Sequence, residues 1–250
     1  MDNSFNYKFL DPNDRIATFV ESIGMFHNQS DKPKEVVVLP DGRIDLFFSQ
    51  SESEAFHITL VGLETFPEQR SIPPNTLTFV ISFRPLAVEY ILKDSIAGIL
   101  NIAKDIPLGF WNFDVSDLGD FNAFYAKASK TVEGLSPKEI DIRKKKLFEL
   151  IYSSRGEMSV KELSEQVCWS SRQINRYFTN QFGVSLKAYC TILRFRASLE
   201  HIAKGKLFPE LNFTDQNHFI KEIKKFAGVN PKELFKNKDD RFVLLSTLKQ

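Results

Sequence analysis

At 250 residues, with 33 Lys+Arg against 32 Asp+Glu, 42% apolar and 26% charged, the chain has an ordinary globular composition, which excludes a disordered, collagenous or disulfide-framed protein. Met1-Asp2-Asn3-Ser4-Phe5-Asn6 lacks a basic stretch followed by an apolar one, and no apolar run approaches the roughly 18 residues of a membrane span, so a cytoplasmic protein with no membrane partner is expected. The near-neutral total hides a division: residues 1–135 carry 11 Lys+Arg and 19 Asp+Glu, net −8, whereas residues 136–250 carry 22 and 13, net +9. A basic half points toward nucleic acid, although charge alone fits a solvated helical surface equally well.

In chain order, Glu35-Val36-Val37-Val38-Leu39 and Arg43-Ile44-Asp45-Leu46-Phe47-Phe48 read as strands, and the turn residues Pro40-Asp41-Gly42 between them predict a hairpin. Phe56–Gly62 and Thr76–Phe83 repeat the pattern, the second after the breaker Ile72-Pro73-Pro74-Asn75. Closely spaced strands predict a small barrel or sandwich. Helix-like segments follow near 86–100 (Leu86, Tyr90, Ile91) and 117–130 (Leu118, Phe121, Phe124, Tyr125). The boundary is expected at Glu133-Gly134-Leu135-Ser136-Pro137, giving domains 1–134 and 135–250, with Ser136 as N-cap, Pro137 at the first helical position and Glu139 completing the cap. Lys144-Lys145-Lys146 lies on that helix, where a solvated face opposite Ile140, Leu147 and Ile151 is expected.

Ser159-Val160-Lys161-Glu162 is a capping box opening a short helix with Val160, Leu163 and Val167 facing inward. Ser170 and Gln173 form a second box, starting a helix with the apolar stripe Ile174, Phe178, Phe182 and a stop at Gly183. At 100° per residue, Arg172, Asn175, Arg176 and Thr179 gather on the other side. Two short helices joined through Cys168-Trp169 fit a helix-turn-helix, in which the second helix enters the major groove. Arg can bond both guanine acceptors there, and Asn both adenine edge groups.

A shift of 45 residues lays Asp215 on Ser170, Phe219 on Ile174, Ile223 on Phe178, Gly228 on Gly183 and Lys232 on Lys187. The second outward set is Asn217, Ile220, Lys221 and Lys224, with Lys225 alongside, and Asn230-Pro231-Lys232-Glu233 caps another helix. Leu186 to Ala203 reads as a connecting helix of about 26 Å, against about 34 Å for a turn of DNA. In the second copy Gly205 and Pro209 forbid an ordinary helix over 204–212, so an irregular loop is expected.

The run Ser159 to Lys187, followed by Phe213-Thr214-Asp215-Gln216-Asn217-His218-Phe219-Ile220 and Phe226-Ala227-Gly228-Val229-Asn230-Pro231, resembles the tandem helix-turn-helix domain of AraC/XylS-type transcription regulators over about 100 residues. Cys168 stands where that family usually turns on Gly. The resemblance implies an α+β chain: a cupin-like barrel or sandwich with helices for sensing or dimerisation, then an all-α reader. It also implies DNA-binding positions at Ser171, Arg172, Asn175, Arg176 and Thr179, then Asn217, His218, Lys221 and Lys224. Double-stranded DNA is the implied partner, with RNA polymerase, a small-molecule effector and a second copy of the chain as further ones. Leu39–Leu46 and Ile81–Pro85 look like parts of such a sensor domain, with Arg43, Asp45 and Arg84 as effector-facing groups and paired structural charges as the alternative.

Enzymatic activity is not expected: His27 and His57 are 30 residues apart with no His-x-His pair, and no Gly-rich phosphate loop precedes a helix. No cofactor or metal is expected either. Cys168 and Cys190 read as small packing residues. Trp169 reads as burying its ring in the turn, and for His218 capping or packing competes with base contact. The alternative to a regulator is an interaction scaffold whose basic domain binds an acidic protein.

Overall fold

The computed structural model describes residues 4–208 and 215–248. Strands come first and helices after: β1 Phe5–Leu10, β2 Val20–Asn28, β3 Lys34–Val38, β4 Ile44–Gln50, β5 His57–Val61, β6 Glu68–Ile72, β7 Thr76–Phe83 and β8 Ala103–Ile106, then α1 Phe121–Leu135, α2 Ile142–Ser153, α3 Val160–Val167, α4 Ser171–Phe182, α5 Leu186–Ala203, α6 Gln216–Ala227, α7 Pro231–Lys236 and α8 Val243–Thr247. The chain divides into two compact units, Met1–Lys34, Arg43–Leu63 and Ser71–Glu139 in one, and Glu35–Gly42, Glu64–Arg70 and Ile140–Gln250 in the other.

The first unit is built on an antiparallel sheet in the order β1-β2-β7-β4-β5-β8. The sheet is open, with β1 and β8 at its edges, where a barrel had been one expectation. β7 is central because Thr76-Leu77-Thr78-Phe79-Val80-Ile81-Ser82-Phe83 is β-branched or aromatic almost throughout and is buried along most of its length. One face carries Ile23, Ile81, Leu46, Phe79 and Phe48 against α1, whose N-cap Asp120 accepts from the Asn122 and Ala123 N–H groups. The Phe124 ring lies 5.2 Å from Phe48, 5.0 Å from Phe79 and 5.3 Å from Phe113, an aromatic cluster that fixes the helix on the sheet. On the opposite face Gly24 has no room for a side chain, since a Cβ there would lie 2.5 Å from the Phe9 ring.

Three local expectations are corrected. Segment 86–100 is not one helix but a π turn Val88–Leu92 and a 3-10 turn Ala97–Ile99. Lys93 in the left-handed region stops the first, and the side chains of Asp94 and Ser95 accept from the N–H groups of Ser95 and Ala97 in its place. Ser136 is a C-cap rather than an N-cap: its hydroxyl donates to the Val132 carbonyl, and the next helix starts five residues later, where Asp141 accepts from Arg143 N–H. The hairpin through Pro40-Asp41-Gly42 does not form either, because β3 pairs with β6 and β4 with β5 and β7. Leu39 is instead 2% exposed in a cluster with Ile192, Phe195, Phe219, Ile223 and Leu245.

That cluster belongs to the second unit, which thus takes residues from the strand-rich part of the sequence. Val37 N–H donates to the Arg241 carbonyl at 2.7 Å, and the buried Tyr189 hydroxyl donates to the Gly42 carbonyl at 3.2 Å. Burial holds the Tyr189 phenol well above its ordinary pKa, so it remains a donor. A second cluster joins α2 to α5 through Leu147, Phe148, Ile151, Leu163, Val167, Ile174, Phe178 and Phe182, with the Phe178 ring 5.6 Å from both Phe148 and Tyr189.

Candidate nucleic-acid interface

α3 begins as its sequence dictates: the Ser159 hydroxyl accepts from Glu162 N–H, and the Glu162 carboxylate accepts from Ser159 N–H at 2.7 Å. Those hydrogen bonds hold the Glu162 carboxyl below its usual range. Cys168 ends the helix at φ 51°, in the left-handed region, and Ser170 opens α4 with the same reciprocal cap through Gln173. Ile174, Phe178 and Phe182 are 0% exposed, which fixes the rotation of α4 about its axis and leaves Arg172, Arg176 and Thr179 in solvent. Gly183, at φ 74°, closes the helix.

The 45-residue repeat carries through to the structure. α4 and α6 have the same length, Asp215 caps α6 by accepting from His218 N–H, and Gly228 closes it at φ 74°. Phe219 and Ile223 are buried where Ile174 and Phe178 are, and Asn217, Lys221, Lys224 and Lys225 are exposed. Asn230 then caps α7 with Glu233, and Pro231 takes the first helical position. α5 ends at Ala203 and Gly205 lies at φ 78°, in keeping with the loop expected there; residues 209–214, with Pro209, Phe213 and Thr214, lie outside the described residues.

Two site residues have protein partners. Asn175 is half-buried, its amide donating to the Ser171 carbonyl at 3.0 Å and its Oδ1 accepting from Leu186 N–H at 3.2 Å, so that it ties the first half of α4 to the start of α5. His218 places Nε2 3.8 Å from Glu222, one turn along α6. Lys144 departs from the expected solvated face: it is half-buried, with Nζ 4.9 Å from the centre of the Tyr177 ring. Tyr177 in turn meets Trp169 at 5.4 Å. A shallow depression of about 240 Å³ results, lined by Lys144, Trp169, Gln173, Arg176, Tyr177, Asn180 and Gln181. Sequence periodicity on α4 alone missed Lys144, Gln173 and Asn180. The signal for Lys144 was its aromatic company, Trp169 and Tyr177, brought close only by the packing of α2.

In the first unit, Arg84 Nε donates to Glu21 at 2.7 Å, and Arg43 donates to the Ser22 hydroxyl at 3.4 Å. Asp45 faces Ser82 on β7, which faces Ser22 on β2, so Arg43 and Asp45 share one polar cross-strand row. Among the described residues no group of three or more His, Cys, Asp and Glu could hold a metal ion, and no helix is long and apolar enough to cross a membrane.

Comparison with known proteins gives one family match, a domain of unknown function (DUF6597) over residues 8–102. No curated protein matches in sequence. Similar solved structures include ToxT from Vibrio cholerae, at 14% identity over 94% of this chain and 98% of that one, with a TM-score of 0.47. ToxT from the same organism bound to an unsaturated fatty acid is similar at 13% identity over 94% of this chain and 95% of that one, with a TM-score of 0.45.

Proposed function

We propose that this chain is a sequence-specific, DNA-binding transcription regulator of the AraC/XylS type, with an all-helical tandem helix-turn-helix reader over residues 135–250 and a sensing or dimerisation domain over 1–134. The observation that carries this reading is the pair α4 and α6: equal in length, capped and stopped alike, 45 residues apart, each with an apolar stripe inward and a polar, basic set outward. Arg172 and Arg176 are the guanine-reading groups, Thr179 and Ser171 flank them, and Asn217, Lys221 and Lys224 are the matching set on α6. Asn175 keeps α4 and α5 in register, so its contribution to recognition is indirect.

Effector control would require a ligand that prefers one state of the protein over another, since equal affinity for both shifts nothing. Arg43, Asp45 and Arg84 are the candidate effector-facing groups, the first two supported by the polar row across β2, β7 and β4, while Arg84 is paired with Glu21. On this reading the protein is cytoplasmic, is not an enzyme and needs no cofactor; RNA polymerase and a second copy of the chain are further partners.

The test is selection of binding sites from a random duplex pool by the full-length chain, with Arg176→Ala alongside. Enrichment of two half-sites about one helical turn apart supports reading by both helices, and one short motif assigns reading to α4. No enrichment at low salt overturns the regulator reading and favours an acidic protein as partner of the basic domain.

A further inference from the structure

Resting on the DNA-binding reading above, we infer that the depression between α2 and α4 is a phosphate seat, in which Lys144 holds a backbone phosphate beside the base edges that Arg176 reads. Its lining residues include two cations, Lys144 and Arg176, three side-chain amides, Gln173, Asn180 and Gln181, and no carboxylate. Gln173 already commits its Oε1, which accepts from Ser170 N–H at 3.1 Å and from the Ser170 hydroxyl at 2.7 Å. Its NH2 is therefore the end left to face a ligand, and an NH2 group can only donate. A lining with two cations, the Gln173 NH2 and no carboxylate suits an anion of several acceptor oxygens.

The neighbouring cations of α2 have other positions. Arg143 pairs with Asp141 at 2.9 Å and stacks over Trp169, Lys145 lies 3.9 Å from Glu149, and Lys146 donates to the Gln166 carbonyl at 2.6 Å. Lys144 alone of these lines the depression, and the Tyr177 ring beneath its ammonium steadies it there. Arg176 shares the same wall, one helical turn from Arg172. A phosphate in the seat would fix α4 in depth and direction in the groove without adding sequence information.

A phosphate could come from duplex DNA or from free anion, and the experiment separates the two. Binding of the full-length chain, Lys144→Met and Lys145→Ala to several duplexes is followed across a salt series. Lys144→Met keeps the apolar stem over Tyr177, and its circular dichroism and melting are checked first. The expected result is a loss of affinity by the same factor on every duplex, with the slope of log K against log salt reduced by about 0.9, while Lys145→Ala keeps the parent slope. An unchanged slope for Lys144→Met, with duplex binding intact, overturns the phosphate seat. If the parent chain binds no duplex at all, the DNA-binding reading fails, and the seat is judged on its own. Inorganic phosphate is then titrated at constant ionic strength against Trp169 fluorescence in a Trp111→Phe background. A saturable change abolished by Lys144→Met supports a free-anion site, and no change overturns it.

Discussion

Asn175 and Arg176 are adjacent on α4 and both of a type that reads bases, yet the structure gives them different surroundings, Asn175 hydrogen-bonded and half-buried and Arg176 exposed, and paired alanine substitutions separate the two. Asn175→Ala removes the acceptor of Leu186 N–H and the donor to the Ser171 carbonyl. Leu186 is fully buried at the first turn of α5, where N–H groups have no partner inside the helix. Two hydrogen bonds at roughly 0.5–1.5 kcal/mol each, one of them to a donor left buried, sum to about 2 kcal/mol. In a chain of this size that lowers the melting temperature by about 4–8 °C. Arg176 is exposed, so Arg176→Ala should leave stability within about 0.5 kcal/mol while weakening binding to the preferred site by about 1–3 kcal/mol. Differential scanning calorimetry and a binding titration well below the transition measure both quantities. An Asn175→Ala chain that melts like the parent but no longer discriminates between sites would refute the reasoning and return Asn175 to base reading.

Further outcomes follow from the packing. Leu39→Ala, far from the helices in sequence but 2% exposed in their core, should cost about 2–5 kcal/mol, with loss of hydrogen-exchange protection in α5 and α6 as the readout. Cys168→Gly should stabilise by about 1 kcal/mol in denaturant unfolding, because glycine removes a left-handed penalty of about 1–3 kcal/mol at an exposed position and returns about 0.4–1 kcal/mol in unfolded-chain entropy. A thiol reagent at neutral pH should modify Cys168 in the folded chain and both cysteines in denaturant, since burial pushes the Cys190 thiol up to about 12. Asp141 is held below the usual carboxylate range by its hydrogen bond from Arg143; its folded pKa lies under the unfolded value of about 3.9, so its stabilisation is present above that pH and lost as pH falls through the folded value. The difference in stability between the parent and Asp141→Asn should therefore shrink below about pH 4.

What was legible in the sequence were elements whose signals are local. The boxes Ser159/Glu162, Ser170/Gln173 and Asn230/Glu233 and the stops at Gly183 and Gly228 mark helix ends by chemistry that needs only four or five consecutive residues. β1 and β2 were missed because Lys8, Gly24 and polar residues interrupt their patterns; β6 and β8, Glu68–Ile72 and Ala103–Ile106, are mostly polar and are held by backbone pairing. Ser136 and Asp141 compete as caps within six residues, and the local signal does not choose between them. In the candidate site, the residue types on α4 were readable from its periodicity. The engagement of Asn175 was not, because its partner Leu186 lies 11 residues on, past a turn. Lys144 needed the packing of α2 beside Trp169 and Tyr177 to acquire a direction.

The helical unit takes Glu35–Gly42 and Glu64–Arg70 from early in the chain, and this affects the order in which it can be made. On the ribosome, Leu39 emerges roughly 200 residues before Leu245, a member of the same core. At about 5–20 residues per second, that interval is about 10–40 s, during which Val37 and Leu39 lack the complete set of helices they pack against. The first unit, whose last residue is Glu139, can finish first, whereas the second must join segments made before and after it. Its core around α5 and α6 can be completed only once Leu245 has been made, by closing a loop of roughly 200 residues back to Leu39.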